Sequence, residues 1–286
     1  MYRLYLFGFF LAVTIVQTVY AGDTALIRLP STTFGPSGLL FTQSTNTLSP
    51  GEVEIGVGFA HEHSSNNPDY TINEISATVT VGILPWAEVS ARVPYMYSFE
   101  SHGIETDGVQ GGELSLKWRF LNQEEDFSLP AMGASLTYFS PVDSKVSAFD
   151  VVDSWGVKGL FLASAEVDIS PSLHYAYHAG LYANAGIFIR DLGKSTEERH
   201  GLLDLGMALP LSPSRQIQLI FEANTTLRNE IPLQGNYTGL TAALRYVTSS
   251  FQLTGGMQRR LKQDDEDVEI EDTNPDRFIL YASYLF

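Results

Sequence analysis

The chain has 286 residues, a formal net charge of −16 at pH 7 and no cysteine. The acidic balance argues against nucleic acid as a partner and against electrostatic binding to an anionic lipid surface. Without cysteine the chain forms no disulfide and has no thiolate chemistry. A mean hydropathy of −0.01 fits both a soluble domain and a membrane barrel, in whose strands apolar and polar residues alternate. The periodicity of the sequence therefore has to separate these two classes.

The N-terminus has the features of a secretory signal peptide. Arg3 supplies a positive charge, residues 4–16 are apolar, and Val19-Tyr20-Ala21 fits a cleavage site. The apolar run is shorter than the ~20 residues of a membrane-spanning helix, and no later segment approaches that length. We therefore predict a signal peptide over 1–21. Residues 22–50, rich in Ser, Thr, Pro and Gly, form an irregular lead segment that either enters a barrel mouth as a plug or stays in the periplasm.

From residue 51 onward, apolar and polar residues alternate with the period of two that is typical of strands. Candidate strands are predicted at 51–62, 71–83, 87–97, 112–120, 129–139, 155–167, 172–188, 200–210, 215–227, 236–247, 250–261 and 277–286. Short links such as 84–86 alternate with long links such as 98–111, as in membrane barrels with tight periplasmic turns and longer outer loops. We predict an all-β fold, a transmembrane antiparallel up-and-down β-barrel of 12 strands over residues 51–286.

The last strand ends on Tyr284-Leu285-Phe286. This ending resembles the C-terminal signal of bacterial outer-membrane barrels. The resemblance implies that Tyr284 and Phe286 are read by the barrel assembly machinery. It also implies that the protein lies in the outer membrane of a diderm bacterium, in contact with lipid and lipopolysaccharide.

Two other segments carry a more specific resemblance. The lead Gly35-Pro36-Ser37-Gly38-Leu39-Leu40, with Ser49-Pro50-Gly51 after it, looks like the opening of several small outer-membrane barrel families. The segment 111–120, GGELSLKWRF, is similar to a strand of the transporter-like barrels named for the meta-pathway of phenol degradation. The resemblance implies a twelve-stranded barrel and uptake of small molecules. It supplies no catalytic residues.

If the apolar face of each strand contacts lipid, the opposite face lines the lumen and carries charges of both signs. We select as pore-lining candidates Glu74, Glu88, Arg92, Glu113, Lys117, Arg119 and Arg245. Two interpretations remain open for this face. Its charges either pair into a lattice that holds the wall in shape, because an unpaired buried charge is costly, or line a pore with a mild cation preference.

The loops and histidines offer weaker candidates. Residues 264–272 contain seven acids in nine positions but lack the glycine and spacing of a calcium loop, so we predict a solvated acidic loop. His61 and His63 share one strand face, and His174 and His178 lie about 13 Å apart on a strand. Both pairs are interpreted as polar residues, and no metal or cofactor is predicted.

The function predicted from these patterns is a channel that passes an unidentified small solute by electrostatic and steric filtering. The first alternative is a closed structural or surface-binding barrel that acts through its longer loops. A barrel-embedded lipid-modifying enzyme is the less favoured alternative. His63-Ser64 and His200 are its only suggestion, and the Gly-x-Ser-x-Gly motif is absent. We therefore predict a protein that is not an enzyme.

Overall fold

A computed structural model describes residues 32, 35–64, 70–101, 104–109, 111–123, 129–140, 155–168, 178–191, 197–211, 215–228, 237–262 and 276–286. The predicted signal peptide, His174 and the acidic loop 264–272 lie outside these residues. Within the described residues, no helix is long and apolar enough to cross a membrane.

The described chain is built from antiparallel strands. They are β1 Val53–Ser64, β2 Tyr70–Leu84, β3 Ala87–Ser101, β4 Ile104–Val109, β5 Glu113–Leu121, β6 Ala131–Phe139, β7 Trp155–Asp168, β8 His178–Asp191, β9 Glu197–Pro210, β10 Ile217–Arg228, β11 Tyr237–Val247, β12 Phe251–Lys262 and β13 Asp276–Leu285. Strands that follow each other in the chain pair, except that β4 and β5 both pair with β3 and not with each other. Because β1 also pairs with β13, the sheet closes into a barrel.

The predicted strand count of 12 is confirmed, because β4 and β5 together occupy one position in the wall. The start of β3 pairs with β5, whereas its far end pairs with β4. Gly111, at a φ of 92°, lies in the break between the two segments. This backbone region favours glycine because it has no Cβ.

One predicted link between strands is wrong. The link 98–111 was expected to be a loop, but β3 runs to Ser101 and pairs with β4. The prediction failed because most residues here are polar, and the few apolar ones, Phe99, Ile104 and Val109, do not alternate with a period of two. The seventh barrel strand was expected at 172–188. Residues 172–177 lie outside the described residues, and the described strand β8 runs from His178 to Asp191.

The burial pattern of the wall is the reverse of that of a soluble protein, because apolar side chains are exposed on the outside and polar side chains are buried on the inside. On β1, Ile55 and Val57 are 49% and 55% exposed on the outside, whereas Glu54, which precedes Ile55 and faces the inside, is 3% exposed. The same alternation recurs around the barrel, so the outer surface is a continuous apolar belt. Soluble monomers rarely expose apolar patches larger than a few hundred Å². The belt therefore identifies the wall as a lipid-facing surface, as predicted from the period of two.

The barrel closes at its C-terminal residue. Phe286 donates its backbone N–H to Val53 O at 2.8 Å, and Val53 donates back to Phe286 O at 3.3 Å. The Phe286 side chain is 68% exposed on the outside and its ring lies 4.8 Å from that of Tyr284. Both predicted signal residues therefore lie on the lipid-facing side of the seam between the first and last strands.

The core of the protein lies inside the barrel and includes part of the lead segment. Residues 35–48, called here the inner segment, run into the lumen from the end of the barrel that carries the short turns. Leu39 and Leu40 are each 1% exposed and belong to an apolar cluster. Its wall members are Ala60, Tyr182, Ala208, Ile220, Ala243, Ile279 and Tyr281. At Gly206 the wall has no side chain, and a Cβ there would lie only 2.5 Å from the end of Leu39.

Candidate functional site

The candidate site is the lumen together with the inner segment. Glu88 on β3 and Lys117 on β5 form an ion pair at 2.9 Å, and both are about fully buried, at 1% exposure each. Glu88 accepts hydrogen bonds from Ser37 N (2.8 Å), Ser37 Oγ (2.8 Å) and Leu48 N (3.0 Å). Lys117 donates to Ser37 O at 3.0 Å and to Asn46 O. This pair therefore holds both ends of the inner segment.

A second acid and base hold the middle of the inner segment from another part of the wall. Glu222 Oε1 on β10 accepts hydrogen bonds from Phe41 N at 3.0 Å and Thr42 N at 2.6 Å. Arg245 Nη2 on β11 donates to Gly38 O at 3.1 Å. Glu222 is 4% exposed and Arg245 is 0% exposed. Charge-assisted hydrogen bonds are about twice as strong as neutral ones, so these contacts position the inner segment firmly.

Three more strands add neutral contacts. Thr80 on β2 donates to Gly35 O at 2.6 Å, and Ser164 on β7 accepts from Thr45 N at 2.9 Å. Asn184 on β8 binds the backbone of Gln43 with both ends of its amide. In the amide orientation that satisfies both groups, it accepts from Gln43 N (2.9 Å) and donates to Gln43 O (3.0 Å). The inner segment is therefore bound by seven strands distributed around the barrel.

The inner segment closes the lumen at its own level. A cavity of about 10 Å³ remains between Phe41 and Arg277, and one of about 20 Å³ lies at the short-turn rim beside Glu54 and Gln252. A cavity needs roughly 10–15 Å³ to hold one water molecule. Neither of these two cavities admits a solute larger than water, and among the described residues the inner segment fills the lumen between them.

Above the inner segment, a row of charged side chains follows six adjacent strands from β12 to β5. Its members, called here the charge ladder, are Arg260, Arg277, Glu62, Glu74, Arg92 and Glu113. Arg260 lies 2.7 Å from Glu62, and Arg277 lies 3.9 Å from Glu62 and 4.0 Å from Glu74. Arg92 bonds both Glu74 and Glu113. The Arg277 guanidinium also lies 6.0 Å from the Phe41 ring, so the ladder touches the inner segment.

Replacing Arg92 with leucine is expected to destabilise the barrel by about 3–5 kcal/mol, because it leaves two buried carboxylates without their shared partner. The measurement is the free energy of urea unfolding in lipid vesicles. Arg259→Leu is the matched control, since Arg259 is exposed on the outer face of β12. Equal unfolding free energies for the two variants would contradict a structural role for the ladder.

An aromatic wall lies opposite the charge ladder. The Phe139 and Phe188 rings meet edge to face at 5.2 Å, and the His200 ring stacks on Phe188 at 5.8 Å. Lys158 Nζ lies 5.5 Å from the Phe139 ring centre, within cation–π range. His63 is on β1, which is separated from β9 by four strands, so the structure does not bring it together with His200.

The structure places the seven pore-lining candidates on the inner face of the wall but in different surroundings. Glu88, Lys117 and Arg245 contact the inner segment, whereas Glu74, Arg92 and Glu113 belong to the charge ladder. Arg119 is only half-buried and donates to Pro85 O at 3.1 Å, in a short turn. Glu222 was not among the candidates, although its place on the polar face of β10 marked it as a lumen residue. Its two amide contacts could not be foreseen, because their donors are about 180 residues away.

His61 and His63 have ordinary polar contacts. His61 Nδ1 lies 2.8 Å from Asn73 Oδ1, and His63 Nδ1 lies 3.1 Å from Thr71 Oγ1. In the part of the chain that the structure describes, no three His, Asp or Glu side chains are grouped to hold a metal ion.

No protein-family model matches the chain, and no curated protein matches it in sequence. Solved structures do match. An outer membrane channel from Pseudomonas putida F1 is 13% identical, with a TM-score of 0.56 over 85% of this chain and 98% of that one. The KdgM porin is 8% identical, with a TM-score of 0.50 over 81% of this chain and 99% of that one. At these identities the likeness is one of fold. The chain has the architecture of outer-membrane β-barrels, which supports the predicted location, while the likeness to the phenol meta-pathway barrels stays a prediction.

Proposed function

We propose that the protein is an outer-membrane channel for small solutes whose lumen is closed by the inner segment. The carrying observation is that the inner segment is bound mainly through polar contacts to buried charges such as Glu88, Lys117 and Glu222. Buried charges are expensive in a permanently dry core. When the inner segment leaves, water fills the lumen and hydrates the same charges. The two structural neighbours are named as a channel and a porin, which supports this reading.

In the open state, the proposed selectivity comes from the lumen charges. With the inner segment withdrawn, the Glu88–Lys117 ion pair faces the lumen from one part of the wall, and Glu222 and Arg245 face it from another. The charge ladder and the aromatic wall form the next layer. Acids and bases in one narrow space act on a solute by size and by charge. Glu88 and Glu113 are expected to contribute the mild cation preference predicted from the sequence.

The closed structural barrel is the second candidate function. The observation that favours it is the apolar packing of Leu39 and Leu40, each 1% exposed, against the wall. Burying a leucine side chain contributes roughly 1.5–3 kcal/mol. The channel requires that this packing is reversible, whereas the closed barrel requires that it is permanent.

A variant in which residues 35–47 are replaced by a Gly-Ser linker of the same length separates the two candidates. We expect discrete conductance steps in a planar bilayer, much larger and longer-lived than those of the unaltered chain, because the linker cannot make the contacts that hold the segment. A reversal potential in a salt gradient then reports cation preference, and Glu88→Gln/Glu113→Gln should move it towards zero.

A silent bilayer would overturn the channel if the linker variant is folded and inserted. Heat-modifiable migration in a gel provides that control. The structural or surface-binding barrel would then be the better account.

A further inference from the structure

The wall contacts the inner segment largely through the segment's main chain. Glu88 accepts hydrogen bonds from the backbone amides of Ser37 and Leu48, and Glu222 accepts them from the backbone amides of Phe41 and Thr42. The carbonyl contacts are Lys117 with Ser37 O and Asn46 O, Arg245 with Gly38 O, and Thr80 with Gly35 O. Ser164 and Asn184 also bind backbone groups, those of Thr45 and Gln43. By contrast, the side-chain hydrogen bonds from the segment to the barrel are few: Ser37 Oγ donates to Glu88, and Thr47 Oγ1 donates to Pro85 O in the turn between β2 and β3.

Backbone amides and carbonyls are the same in every peptide, so these contacts do not require this particular sequence. Carboxylates that accept N–H groups and cations that donate to carbonyls are arranged on both sides of the lumen. The wall also has unused capacity, since Glu222 Oε2 and Arg245 Nη1 are buried with no hydrogen-bond partner among the described residues. The lumen is therefore complementary to an irregular peptide main chain.

We infer that the lumen is a peptide-binding site, and that the solutes it takes are short peptides which occupy the place of the inner segment. The inner segment is then a tethered occupant of the site that solutes displace. Transport of the peptides rests on the proposed channel function, whereas binding of the peptides does not. We expect a bound peptide to need apolar side chains at the positions of Leu39 and Leu40, because these two side chains fill the apolar cluster.

The experiment starts from the folded full chain, with a protease site inserted between Ser49 and Pro50. Both residues are exposed at the short-turn rim, so the cut follows folding and releases the inner segment from its tether. The closing pair of β1 with β13 lies outside the cut. Binding of fluorescently labelled synthetic peptides to the cut protein in detergent micelles is then measured by anisotropy.

Three peptides of sequence 35–48 are compared. The first is unmodified, the second is N-methylated at Phe41 and Thr42, and the third keeps Leu39 and Leu40 but has alanine at the other non-glycine positions. N-methylation removes two charge-assisted hydrogen bonds of about 1.5–3 kcal/mol each, so we expect affinity to fall by about a hundredfold or more. The alanine peptide should bind within about tenfold of the first, since it keeps every amide. N-methylation at Thr47, whose recorded contact uses its hydroxyl, is the matched control.

The inference is overturned if the alanine peptide fails to bind while the first binds, because recognition would then depend on this sequence. It is also overturned if N-methylation at Phe41 and Thr42 has no effect, if no peptide binds the cut protein, or if a malto-oligosaccharide of similar mass competes as well as the alanine peptide. Conductance of the same cut protein is recorded separately. Peptide binding without conductance would contradict the proposed channel but not the peptide-binding site. Conductance without peptide binding would contradict the peptide-binding site but not the channel.

Discussion

Replacing Glu88 with alanine is expected to open the barrel. The change removes three hydrogen bonds to the inner segment and leaves Lys117 buried without its carboxylate. An uncompensated buried charge costs about 3–5 kcal/mol. This cost falls on the closed state, because Lys117 is hydrated once the segment withdraws. The ratio of open to closed channels should therefore rise by about a hundred- to a thousandfold, measured as single-channel open probability.

Glu113→Ala is the matched control for this prediction. It also removes a carboxylate from a buried ion pair, but Glu113 binds Arg92 in the charge ladder and has no recorded contact with the inner segment. Its open probability should stay near that of the unaltered chain. An equal rise in both variants would mean that general destabilisation of the wall, rather than release of the segment, opens the channel. An unchanged open probability in Glu88→Ala would mean that the Glu88–Lys117 pair does not hold the inner segment in the closed state.

Deleting Phe286 is expected to reduce assembly into the outer membrane by about tenfold or more. The deletion removes the exposed ring at the seam and the two backbone hydrogen bonds with Val53 that complete the pairing of the first and last strands. Each backbone hydrogen bond contributes about 0.5–1.5 kcal/mol net, so recognition of the terminal aromatic must supply most of the effect. The measurement is the amount of heat-modifiable folded barrel in outer-membrane fractions.

Phe286→Tyr and Phe286→Ala separate the two contributions. Both keep the backbone pair with Val53, but only tyrosine keeps an aromatic ring. We expect normal assembly with tyrosine and poor assembly with alanine. Normal folded levels after deletion would contradict the prediction that the ending is a signal.

The wall of the barrel could be predicted because its strands obey one simple rule. Ile55 and Val57 face outward and Glu54 inward, as a period of two requires. The same rule placed Glu88, Lys117 and Arg245 on the inner face. The rule fails where both faces meet water, since apolar residues are then few and do not alternate. The far end of β3 and the short β4 are such a case, so they were predicted to be a loop.

The closure of the lumen could not be predicted in the same way. Residues 35–48 have no period, and their partners, such as Glu222 and Arg245, lie far away in the chain. The available signal was Leu39-Leu40 within an otherwise polar stretch, which indicates a buried site without saying where it is. Likewise, charges on one face predict pairing, but only the closed sheet decides that Arg92 bonds both Glu74 and Glu113.

The central claim is that movement of the inner segment opens the channel, and a reversible cross-link tests it most directly. A Cβ at Gly206 would lie 3.3 Å from Thr42 Cβ, close to the 3.5–4.5 Å typical of disulfides. The nearest obstacle is the end of the Leu39 side chain, which can rotate away. Because the chain has no cysteine, Thr42→Cys/Gly206→Cys forms one defined disulfide, and either single variant serves as control.

The measurement is the current through one Thr42→Cys/Gly206→Cys channel, in the Glu88→Ala background, before and after addition of a reductant. We predict silence while the disulfide holds the inner segment in the lumen and discrete conductance steps once it is reduced. Equal currents in the oxidised and reduced protein would contradict the account, because ions would then pass while the segment is locked in place.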